Sequence, residues 1–149
     1  MKPVSKLLLL CILLGIFKIS NAQIVKSERP YLFNSYAAIL PATVAELDKA
    51  FLARQGSSIQ LQFSNNFSFT GTISSSVKKY SNLSSVVIES PLFHNSVLAI
   101  SKRINDDNSI TYVGRIINES YADGYELKKD DKGNYAFNKI KTEDLIQDY

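Results

Sequence analysis

The chain has 149 residues, of which 45% are hydrophobic and 21% charged, and its formal charge is +3. One cysteine and one histidine exclude an intrachain disulfide, a redox cysteine pair and a structural zinc site, which needs four Cys or His ligands. The length suits one domain.

The first residues read MKPVSKLLLLCILLGIFKISNAQ. Lys2 and Lys6 make a positive start, Leu7 to Phe17 form an apolar run, and Ser20 and Ala22 put small residues before a cleavage point. Residues 1–22 are therefore predicted to be a signal peptide. The run is short for a membrane span and Lys18 interrupts it, so an uncleaved anchor is the weaker alternative. Cys11 falls inside the run and is read as part of it. Cleavage removes Lys2, Lys6 and Lys18, after which basic residues equal the fourteen acidic ones. The basic pI is then no argument for nucleic acid or for an anionic membrane. The expected product is residues 23–149, a single mostly-β domain, secreted to an extracellular or periplasmic space. It meets a membrane only during export.

Gln23 to Asn34 read as a lead-in, and YLFNSYAAIL as either a first short strand or the start of a helix. TVAELDKAFLARQG is the clearest helix. Thr43 and Glu46 have capping-box spacing, and Val44, Leu47 and Phe51, with Leu40 or Ala50, repeat at the helical period. Glu46, Asp48, Lys49 and Arg54 are assigned to its solvated side, and Gly56 to its stop. From Ser58 the period becomes two. SIQLQF and FSFTGTI form a hairpin across Asn65-Asn66, with Gly71 marking a bulge or a close backbone approach. Ser74 to Ser81 read as a polar connector. Strands follow in SSVVIES, SVLAISKRI, SITYVGRII, YELKK and YAFNKI, with turn residues recurring every ten residues or so. KTEDLIQDY reads as one turn capped by Thr142, then a frayed tail. The expected fold is α+β and mostly β: one amphipathic helix packed on a curved antiparallel sheet or small barrel of about seven strands, with a β-sandwich as the competing arrangement.

Chemistry is sparse. His94, in ESPLFHNSVL, falls at a turn between two strands, and no serine sits in a G-x-S-x-G elbow to accompany it. Asn105 to Ser109 and Lys128 to Asn134 offer oxygen ligands but lack EF-hand spacing, and Asp and Asn are what tight turns require. Glu89, Glu119, Asp123 and Glu126 are the carboxylates available for a glycosidase pair. No phosphate loop or dinucleotide fingerprint occurs. Neither a catalytic residue nor a metal ligand nor a cofactor is assigned. N-x-S sequons occur at Asn66, Asn82 and Asn118. Aromatic residues on strands, among them Phe63, Phe67, Phe69, Tyr112 and Phe137, are assigned to the core. INESYADGYEL is the most suggestive segment, because Tyr121 and Tyr125 flank a turn with Asp123 and tyrosine gives rigid contact area with a polar tip. The leading expectation is a secreted non-catalytic module that binds an extracellular protein or glycan through Tyr121, Asp123 and Tyr125. The alternatives are a carrier of a small apolar ligand and a small hydrolase using His94.

Overall fold

The computed structural model of the protein describes residues 29–146, so the segment expected to be a signal peptide, with its expected cleavage point, and the last three residues lie outside the described part. The chain runs β1 (Ile39–Ala42), α1 (Val44–Leu52), β2 (Ser58–Ser64), β3 (Phe67–Tyr80), β4 (Leu83–Ser90), a 3₁₀ turn (Pro91–Phe93), β5 (Ser96–Ile104), β6 (Ile110–Ile117), β7 (Asp123–Lys129), β8 (Tyr135–Lys141) and a second 3₁₀ turn (Thr142–Ile146). All strands belong to one antiparallel sheet in the order β1-β8-β7-β6-β5-β4-β3-β2. Its end strands, β1 and β2, come back beside each other, and the sheet is a nearly closed barrel.

The period-two pattern explains the curl. Leu61 and Phe63 of β2, Phe67, Phe69 and Ile73 of β3, Val86 and Ile88 of β4, and Leu98 and Ile100 of β5 all point inward and are buried. Tyr112, Ile116, Tyr125, Leu127, Tyr135 and Phe137 complete the core from β6 to β8. Two glycines permit close approach of neighbouring strands, Gly71 on the inner face and Gly124 on the outer. A Cβ on Gly71 would run into the Glu89 carbonyl, and one on Gly124 into the Ile116 carbonyl.

The expected helix and meander are present, with eight strands. The added strand, β1, comes from the segment read as strand or helix start. It is four residues long and pairs with β8 from Ile39↔Asn138 to Ala42↔Tyr135. The polar connector is corrected: Ser74 to Tyr80 continue β3 and pair with β4 as far as Tyr80↔Leu83. These residues are largely exposed and have no apolar alternation to betray a strand, and the lysines there suit an open sheet edge.

The helix departs from expectation in two ways. Thr43 caps it, accepting from the Glu46 amide at 3.2 Å, but the Glu46 side chain does not return to Thr43. It turns inward, is 9% exposed, and accepts from the Gln62 amide of β2 at 2.6 Å and from Lys49 at 2.6 Å. It thus satisfies a backbone donor where β2 has no strand beside it to complete the ladder. Burial works against this carboxylate's charge, but Lys49 and the Gln62 amide outweigh it and hold its pKa below the ordinary value. Leu47 and Ala50 form the buried stripe, whereas Val44 is 47% exposed. The helix ends at Leu52 with Ala53 extended, and Gly56 (φ +83°) supplies the following turn.

The barrel has two poles. At one, α1 spans from the end of β1 to the start of β2 and seats Leu47 and Ala50 in the core. At the other, residues 30–37 plug the opening with Phe33, which is fully buried. The rings of Phe33, Phe67, Phe69, Phe93 and Tyr125 meet there with centroids 5.2–6.1 Å apart.

Candidate functional site

The residues first assigned to recognition do not share a surface. Tyr121 is half-buried, with its ring 5.7 Å from that of His94. Asp123 is 1% exposed, and its carboxylate accepts from the amides of Leu32 at 2.6 Å and Phe33 at 2.9 Å. Tyr125 is fully buried and donates from its hydroxyl to the Ala37 carbonyl at 2.7 Å. Burial, then the nearby Asp123 charge and Tyr36, push the Tyr125 phenol up to about 12. Lys139 adds donors to the carbonyls of Phe33 and Tyr36. Asp123 and Tyr125 therefore hold residues 32–37 of their own chain. A Tyr-Asp-Tyr group around a turn has the composition of a recognition loop, but these side chains are engaged inside.

His94 closes the Pro91–Phe93 turn in the left-handed conformation (φ 52°), followed by Asn95 (φ 64°). Its carbonyl accepts from Asn118 Nδ2 at 2.8 Å, and the neighbouring Ser96 hydroxyl is committed to the Phe93 carbonyl at 2.6 Å. The acidic turns are likewise occupied. Asp107 accepts from the Ser109 amide and hydroxyl, and Asp130 from the amides of Lys132 and Asn134. Those bonds hold both carboxylates below their ordinary pKa. Among the described residues no three His, Cys, Asp or Glu side chains converge to hold a metal.

An apolar depression lies on the outside of the barrel. Val97 and Ala99 of β5, Val113 and Ile117 of β6, and Leu127 of β7 line a groove of about 400 Å³ on the outer face. It follows a seam in the sheet. β6 pairs with β5 over its whole length, from Val97↔Ile117 to Ile104↔Ile110. With β7 it pairs only at Arg115↔Glu126 and Ile116↔Tyr125. Beyond that point the strands part, and Leu127, though inward-facing, is reached from outside through the gap. The Tyr112 amide has no β7 carbonyl to meet and donates instead to the Tyr135 hydroxyl at 3.1 Å. Arg115 and Lys128 both pair with Glu126 at the rim, at 2.9 Å and 3.2 Å. Burial disfavours the Glu126 charge, but the two cations more than compensate and lower its pKa.

This groove was not singled out in the sequence, yet its signal was there. β5 and β6 carry apolar residues on both faces: Val97, Ala99, Val113 and Ile117 stand opposite Leu98, Ile100, Tyr112 and Ile116. A barrel strand with a solvated outer face needs only one such set. Compared with known proteins, the chain matches no family model, no curated protein and no solved structure at a significant level.

Proposed function

We propose that the protein is a secreted, non-catalytic module that binds an extended segment of a partner polypeptide along the β5–β6–β7 groove. The observation that carries this reading is an apolar groove over an open seam, on the outside of a barrel whose interior is filled by its own aromatic side chains. An extended segment suits the place twice. It supplies backbone donors and acceptors to the part of β6 that lacks a β7 partner, and alternate apolar side chains to Val97, Val113 and Leu127. A ligand inside the barrel would have to displace the Phe33–Phe67–Phe93 packing. The signal-peptide pattern of residues 1–22 supports export, and with it a partner met in the extracellular or periplasmic space.

The test is a peptide array of extended decamers with alternating apolar residues, read against residues 23–149 and then by amide chemical shifts on a bound member. Shifts confined to Val97, Val113, Gly114 and Leu127, abolished by Val113→Asp with the melting temperature unchanged, are expected. Shifts at another face, or binding indifferent to Val113→Asp, would overturn the assignment. Val113 is 58% exposed, so this change should be nearly neutral for folding.

A further inference from the structure

At the helix pole, β3, β4 and β5 run past the body of the barrel. β3 leaves β2 after Thr72 and continues to Tyr80 with β4 alone. The ends of these strands and the last turn of α1 enclose a cleft of about 380 Å³. Phe51, Leu52 and Ile104 give it an apolar side, and Leu52 is 84% exposed. Ser76, Ser84 and Asn82 give it a polar one.

Lys78 and Lys102 both reach the cleft, but they differ. Lys102 lies 2.7 Å from Asp48 Oδ1, with its ammonium 5.9 Å from the Phe51 ring centre and 5.7 Å from that of Tyr112, so its charge is matched internally. The Lys78 ammonium forms no hydrogen bond or ion pair among the described residues. The hydroxyls of Ser76 and Ser84 are also without an internal partner there. Asn82 spends its Nδ2 on the Ile104 carbonyl at 3.3 Å and keeps its oxygen. The negative charge shown beside the cleft is that of Asp48, which is taken up by Lys102 and by the Tyr112 hydroxyl.

We propose that this cleft binds a carboxylated sugar unit of an acidic polysaccharide. One unmatched ammonium suits one carboxylate. Free hydroxyls and an amide oxygen suit ring hydroxyls, and Leu52 with Ile104 suits the C–H face of a pyranose. A fatty acid would bury the serine hydroxyls against its chain without partners, and a polyphosphate calls for more cations than one free lysine. The site is separate from the outer groove and independent of any polypeptide bound there.

The experiment is calorimetric titration of residues 23–149 with trimers of galacturonate and glucuronate, each beside its methyl ester. At least one acid trimer should bind, with its ester about fivefold to tenfold weaker. Lys78→Met should erase that difference and Lys78→Arg retain it, with all three proteins melting alike, because the residue is exposed. Val113→Asp, which disables the groove, should leave the titration unchanged. Equal affinity for acid and ester, no heat from either acid at millimolar concentration, or full binding by Lys78→Met would each overturn the proposal.

Discussion

Asp123 accepts hydrogen bonds from two consecutive amides, Leu32 and Phe33, in a place almost closed to water. Removing the carboxylate leaves two donors unpaired, so Asp123→Ala is expected to destabilise the protein by about 2–4 kcal/mol, read from urea denaturation. Glu46 and Asp48 are a second residue-level dependence. Burial opposes charge on both, but Lys49 and the Gln62 amide hold Glu46 down, and Lys102 and Tyr112 hold Asp48 down. Both therefore titrate lower in the folded protein than in the unfolded chain. Their contribution is complete above the ordinary values of 4.5 and 3.8 and is lost as pH falls through the lowered ones. The urea midpoint should drop on acidification through that window, and the drop should be shallower in Asp48→Asn. Neither dependence was legible in the sequence. Residues 32 and 123 are far apart along the chain, and Glu46 three residues after a threonine has the same spacing whether it caps its own helix or a distant strand.

At the scale of elements, the hairpins were legible because side-chain alternation and turn chemistry agree. Asn65-Asn66 separates β2 from β3 where the turn residues put it. The second half of β3 was not legible, since an edge held by backbone pairing to β4 needs no apolar face. Curvature was half visible. Gly71 suggested a bulge or a close approach, and the structure shows a close approach: its α-hydrogen faces the Glu89 carbonyl. Gly71→Ala and Gly124→Ala should each cost about 1–3 kcal/mol by thermal melting, because a strand must shift to admit the methyl group. The seam between β6 and β7 has its own expectation. Apart from that of Tyr112, which is bonded to the Tyr135 hydroxyl, amides of β6 from Ile110 to Gly114 that face β7 should exchange with deuterium faster than those of β4, which is paired on both sides. An extended ligand in the groove should slow them.

For the molecule as a whole, the described part of the lead-in segment, from Arg29 onward, is a structural component of the barrel. Phe33 contacts Phe67, Phe93 and Tyr125 and fills the pole opposite the helix. Phe33→Ala should cost about 3–5 kcal/mol in chemical denaturation, more than most single strand positions. Periodicity and turn spacing foretold one helix on a curved antiparallel sheet or small barrel, but not which segment would stopper it. Arg29 then has a consequence for architecture. Its guanidinium bonds the Glu119 carbonyl and, at 2.9 Å, the hydroxyl of Thr142, so the first and last described stretches meet at one pole. Residues 29–146 hang from that pole as a closed unit. They have the geometry to be spliced into a surface loop of another protein by two short linkers, leaving the helix pole and its cleft facing outward.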